Sequence, residues 1–217
     1  MGGMNFVAPE YECSFCPRLA DFHKVNRKEY PAFHNGPVPS FGDLKAQVLI
    51  VGLAPGLKGA NRTGRPFTGD YAGLVLYSAL QKFGFASGNY DPEKMQEGGD
   101  GFTLHNCRIT NAVRCVPPQN KPEPTEIKQC NNFLKAEIAA MSGLKIILTL
   151  GLISHKAVLM ALGKKQSAFA FSHAAQHGVG ELSVINSYHC SRYNINTGTL
   201  TQAMFDEVVE RIRQSLG

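Results

Sequence analysis

Along the chain, unbroken apolar runs alternate with stretches whose apolar positions recur every three or four residues. Val48-Leu49-Ile50-Val51 is such a run, closed by Gly52, as expected of a strand buried on both faces of a sheet. Gly73, Leu76, Tyr77, Leu80 and Phe83 then recur at helical spacing, which predicts a helix over residues 71–83. The same couple returns downstream. A strand within Phe102–Val113 precedes a helix over Thr125–Met141, where Ile127, Leu134 and Ile138 share a face behind Pro124. A buried strand over Leu144–Leu150 precedes a helix over Leu152–Leu162, and a fourth strand covers Leu182–Tyr188. The last helix is expected to open at Thr199, with Gln202 completing a capping box, and to turn Met204, Phe205, Val208, Val209 and Ile212 to one side. Alternating strands and helices predict an α/β fold with a parallel sheet.

Residues 1–45 break this regularity. They are rich in Pro, His and aromatic residues without a sustained period, so they read as an irregular segment that needs an external fixative such as a metal centre. The length of 217 residues, with 43% hydrophobic and 18% charged, suits a single domain over 1–217. Lys and Arg number 22 against 17 Asp and Glu, a net charge of +5 that suits an acidic partner such as nucleic acid without demanding one. No apolar run approaches the ~20 residues of a membrane span, and the start of the chain has neither the layout of a signal peptide nor a myristoylation motif, since Phe6 stands where Ser or Thr is needed. A cytoplasmic location is therefore expected, and there six cysteines argue for metal ligation, redox chemistry or burial rather than disulfides.

Cys13 and Cys16 form a C-x2-C pair, while Cys115 and Cys130 stand fourteen residues apart. Two ligands from each of two distant segments would clamp the irregular N-terminus onto the sheet. Four-cysteine zinc sites usually use two short pairs, so the long gap favours an iron-sulfur cluster, with zinc as the alternative and plain burial as the third reading. Cys107 and Cys190 read as small core residues.

In an open α/β sheet the ligand sits beyond the carboxyl ends of the strands. Three loops leave those ends: Gly52–Gly69, Thr110–Pro118 and Ser187–Gly198. The first fits neither a dinucleotide fingerprint nor a P-loop, so a phosphate cradle is not expected. It does place Arg62 and Arg65 around Phe67, the equipment for grasping a phosphodiester and stacking a base; surface salt bridges and a core Phe are the plainer reading. The third loop couples His189 with Arg192 and Tyr193.

Taken together, Gly52-Leu53-Ala54-Pro55-Gly56, residues 61–70 (NRTGRPFTGD), Ile109-Thr110-Asn111-Ala112-Val113-Arg114-Cys115, Ser187-Tyr188-His189, Asn196-Thr197-Gly198 and Leu200-Thr201 resemble the iron-sulfur uracil-DNA glycosylases, the fifth family more than the fourth. The resemblance spans nearly the whole chain. It implies a central four-stranded parallel sheet flanked by helices, a 4Fe-4S cluster on Cys13, Cys16, Cys115 and Cys130, and a monomer that flips a deaminated nucleotide of DNA into a pocket. Gly52 and Ala54 would line that pocket, Phe67 would stack on the base, Asn111 would bond its edge, and His189 would stabilise the charge on the departing base. Ser191 and Arg192 would face the backbone or minor groove, with Arg62 and Arg65 on the opposite bank.

The classical enzymes place an acid two residues after the first motif glycine, where this chain has Ala54. Asp70 matches the fifth family's water-handling carboxylate, with a helix cap as its other reading. Cys190 replaces the proline that usually follows the histidine, and the basic insertion of the uracil-trapping relatives is absent. The expected activity is excision of uracil, with hypoxanthine or xanthine as further bases. The competing readings are a noncatalytic damaged-DNA-binding module, supported by Ala54, and a zinc-stabilised nucleoside hydrolase.

Overall fold

The computed structural model describes residues 6–97 and 99–217; residues 1–5, where the reading of the N-terminus for targeting signals begins, lie outside them. The order is α1 (Pro17–Glu29), β1 (Val48–Gly52), α2 (Ala60–Thr63), α3 (Tyr71–Lys82), β2 (Ala86–Ser87), β3 (Thr103–Leu104), β4 (Cys107–Asn111), α4 (Pro124–Ala140), β5 (Ile146–Leu150), α5 (Leu152–Ala161), β6 (Gln176–Val179), β7 (Leu182–Ser187), α6 (Arg192–Asn196) and α7 (Gln202–Gln214).

The main sheet runs β4-β1-β5-β7-β6. Its first four strands are parallel, as expected, and β6 adds an antiparallel edge through a hairpin with β7. The expectation of four strands stopped short of β6 because Gln-His-Gly-Val is half-exposed and carries little apolar signal. Strand alternation divides the core into two layers. Val48 and Ile50 of β1 face a cluster with Leu76 and Leu80 of α3 and Phe205 and Val208 of α7, while Leu49 and Val51 face Leu134 of α4 and Ala157 and Val158 of α5. Side chains so fully buried contribute about 1.5–3 kcal/mol each.

Two sequence expectations are corrected. The N-terminal segment is not wholly irregular, because residues 17–29 form α1. Its buried face is Leu19, His23 and Asn26, helically spaced but two-thirds polar, so an apolar period misses it. The last helix opens at Thr201, whose hydroxyl accepts from Met204 N at 3.2 Å; Thr199 instead hydrogen-bonds Thr197. Among the described residues no helix is long and apolar enough to cross a membrane.

Candidate active site

β1 and β4 are neighbours, in a register that pairs Gly52 with Asn111 at their carboxyl ends. The missing side chain at Gly52 matters: a methyl group there would lie 2.4 Å from Asn111 Oδ1 and 2.5 Å from Phe67 Cζ. The amide and the ring therefore converge on bare backbone. Phe67 has a left-handed φ of 54°, uncommon for a bulky residue, and its ring lies 6.3 Å from that of His189 with the planes 29° apart. Neither the Asn111 amide nor either His189 ring nitrogen hydrogen-bonds another described residue, although Asn111 is only 3% exposed. Burial lowers the His189 pKa, so its ring is neutral at neutral pH. Two uncommitted polar side chains thus flank an aromatic face.

A cleft of about 650 Å³ opens beside this group, lined among others by Ala54, Lys58, Asp70, His189, Ser191 and Arg192. Asp70 caps α3 through Oδ1, which accepts from Gly73 N at 2.9 Å, and Oδ2 is directed toward Gly59, where a methyl would approach it to 2.9 Å. Burial pushes the Asp70 carboxyl above its ordinary pKa, partly offset by the Gly73 and Ala72 amides. The cap and a position on the cleft wall coexist in one residue. Ser191 caps α6 by accepting from Asn194 N, and exposed Arg192 stands 5.4 Å from the Tyr71 ring centre.

The arginines before Phe67 depart from expectation. Arg65 is 6% exposed, is paired with Asp100 at 2.8 and 2.6 Å, and donates from Nε to Thr68 Oγ1, so it does not face a DNA phosphate. Arg62 holds Glu93 at 2.7 and 2.8 Å; because Glu93 is well exposed, that pair is weak and can exchange for another anion. Cys190 is fully buried with its Sγ 3.5 Å from Ala72 O, and Cys107 is buried with its Sγ 3.4 Å from Phe85 O; both are packing residues.

Cys13, Cys16, Cys115 and Cys130 line one narrow cavity, otherwise walled largely by apolar side chains including Phe15, Leu19, Val113 and Phe133. Burial pushes the Cys16 thiol up to about 11 and the Cys115 thiol higher still, and each is raised further by its neighbours, Cys130 first among the cysteines. The backbone N–H of Arg114 lies 3.4 Å from Cys130 Sγ. Four sulfurs facing one apolar space suit a thiolate-ligated group whose positive charge relieves their repulsion. Among the described residues no group of three or more His, Cys, Asp or Glu is arranged to hold a single metal ion. Ala54 packs against the cysteine cluster and also lines the cleft, so the two places share a wall.

Sequence reasoning missed Lys58, Tyr71 and Asn120 on the cleft wall. Asn120 follows Gln119 with both φ angles positive, 58° and 55°. The Pro-Pro-Gln-Asn turn signal was present, but nothing local told which surface the turn would meet.

Residues 39–213 match the family described as the uracil DNA glycosylase superfamily. A type-5 uracil-DNA glycosylase of Thermus thermophilus is 40% identical over 220 residues, covering 98% of this chain and 97% of that protein. A type-5 enzyme of Pyrobaculum aerophilum is 36% identical over 98% of this chain and 93% of its own length, whereas a type-4 enzyme of the same organism matches 70% of this chain at 34%. The parallel sheet with an open cleft at its carboxyl end thus carries the features of a base-excising enzyme, and the chain belongs to the uracil-DNA glycosylase superfamily. Its matches to type-5 members are longer and stronger than those to type-4.

Proposed function

We propose that the protein is a monofunctional DNA glycosylase that hydrolyses the N-glycosidic bond of uracil, and of other deaminated bases such as hypoxanthine or xanthine, leaving an abasic site for base excision repair. The observation that carries the reading is the convergence of Phe67, Asn111 and His189, with neither the Asn111 amide nor the His189 ring nitrogens hydrogen-bonded to another described residue. Phe67 supplies the stacking face and Asn111 reads the base edge. As the bond from C1′ to the base nitrogen breaks, its electron pair leaves with the base, and a neutral His189 N–H stabilises the growing charge; losing one such donor costs about 10²–10³-fold in rate. Water then bonds to C1′ and releases its proton toward Asp70, whose raised pKa suits a base. Ser191, Arg192 and Arg62 hold the DNA backbone.

The cysteines would hold a 4Fe-4S cluster, with Cys13 and Cys16 ahead of α1 and Cys115 and Cys130 from the β4–α4 region. Its contribution there is to tie α1 to the sheet, with no part in breaking the bond. We read the protein as a cytoplasmic monomer.

The test is incubation with labelled duplexes carrying uracil, hypoxanthine or xanthine, then alkaline cleavage of abasic sites. Excision of uracil is expected. Tight binding of uracil-DNA without cleavage would overturn the enzymatic reading in favour of a binding module. The module reading drew on Ala54 in place of an acid, and a carboxylate on the same cleft wall weakens that support.

A further inference from the structure

Phe67 holds its left-handed backbone inside a network whose side chains, Tyr77, Tyr90, Arg65 and Asp100, do not line the cleft. Tyr77 OH donates to Pro66 O at 2.5 Å, Gly69 N donates to Tyr90 OH at 3.0 Å, and Tyr90 OH donates to Phe67 O at 3.4 Å. On the helix side the Phe67 carbonyl packs onto bare Gly73, where a methyl would overlap it at 1.7 Å. The clamping tyrosines are themselves held. The Arg65 guanidinium carbon lies 5.7 Å from the Tyr77 ring centre and 5.8 Å from that of Tyr90, and its nitrogens reach Thr68 and Asp100. Asp100, with a side chain 1% exposed, also accepts from Asp91 N at 2.9 Å and Phe102 N at 3.0 Å.

A buried ion pair with all its partners satisfied fixes geometry, and that geometry includes a residue in a costly conformation. We infer that Arg65, Asp100 and Tyr90 are positioning residues that preset the Phe67 ring against Gly52 and Asn111, and that Arg65 serves this role and not a DNA phosphate. The inference rests on the reading of Phe67 as the base-stacking face.

Single-turnover excision of uracil from a labelled duplex, with enzyme and salt both varied, separates the maximal rate, the half-saturating concentration and the salt slope. Tyr90→Phe, which removes only the hydroxyl, and Asp100→Asn are expected to lower the maximal rate about tenfold, the scale of one lost hydrogen bond. Half-saturation and salt slope stay as in the parent protein. Arg65→Lys retains more of the maximal rate than Arg65→Met, and neither alters the salt slope, whereas Arg192→Ala lowers that slope by about one. A parent-like maximal rate in folded Tyr90→Phe overturns the inference, as does a reduced salt slope in the Arg65 variants. If Asp100→Asn fails to fold, Tyr90→Phe decides. Phe67→Ala separates the two levels: if it excises at the parent rate, the stacking reading itself falls, and if it loses activity while Tyr90→Phe does not, only the positioning role falls.

Discussion

Replacing Gly52 with alanine puts one methyl group at the tightest point of the site. The new carbon would start 2.4 Å from Asn111 Oδ1 and 2.5 Å from Phe67 Cζ, so ordinary contact near 3.4 Å requires a shift of about 1 Å. Strand pairing holds the backbones of Gly52 and Asn111 against each other, and Tyr77, Tyr90 and Gly73 hold the Phe67 backbone, so the ring and the amide must give way. Overpacking of this kind costs about 1–3 kcal/mol, and a chain of this size loses roughly 2–4 °C of Tm for each. The larger effect falls on catalysis, where a displacement of ~1 Å can cost about 10²-fold. Single-turnover excision at saturating enzyme, beside a thermal melt and the affinity for abasic DNA, measures both. We expect a rate lowered about a hundredfold in a protein that melts a few degrees early and still binds abasic DNA. A variant with parent rate and parent Tm would refute the idea that the ring and the amide are pinned against this glycine.

Asp70→Asn keeps an N-cap but removes the base, so excision falls by about 10²–10⁴-fold with little change in Tm; an unchanged single-turnover rate rejects the assignment. Because burial raises the Asp70 pKa, the active carboxylate form is lost as pH falls through a value above the ordinary aspartate range, and this acidic limb of the pH–rate profile disappears in Asp70→Asn. Cys115→Ser is expected to abolish a broad absorbance near ~400 nm and bound iron together and to lower Tm; a colourless parent protein that binds zinc instead rejects the cluster. Glu137 is buried at 2.7 Å from Arg108 Nε and 2.5 Å from Arg114 Nη2, and burial, which alone would raise its pKa, is outweighed by the two arginines. Its stabilisation is therefore present above the unfolded glutamate pKa of about 4.3 and lost as pH falls through the lower folded value. Glu137→Ala, which strands two buried cations, costs about 3–5 kcal/mol, read from denaturant melts; a loss below about 1 kcal/mol contradicts the triad.

Much of this was legible in the residues. Val48–Val51 and Leu144–Leu150 announce buried strands because a parallel sheet covered on both faces leaves few polar positions, Thr149 being the one polar residue within Ile146–Leu150. The helices at 71, 124 and 152 follow from apolar spacing, and the region of the site follows from the rule that such sheets bind at their carboxyl ends. Where polar residues form the buried face, as with His23 and Asn26 of α1, periodicity is silent. β6 escaped for the same reason, since an exposed edge needs no apolar pattern.

By itself, then, the sequence determined the order of the parallel strands and helices, the two-plus-two spacing of Cys13, Cys16, Cys115 and Cys130, and the chemical types gathered at the loops. Only the tertiary structure decided which of two neighbouring arginines turns inward. Arg62 and Arg65 stand three apart, at the end of α2 and just past it, with identical chemistry, and their fates differ because, of the groups that one distant segment brings to them, buried Asp100 and its aromatic surroundings meet one and solvent-facing Glu93 the other. Local pattern records burial averaged over an element; which ion finds which partner is set by long-range packing, and no local period encodes that.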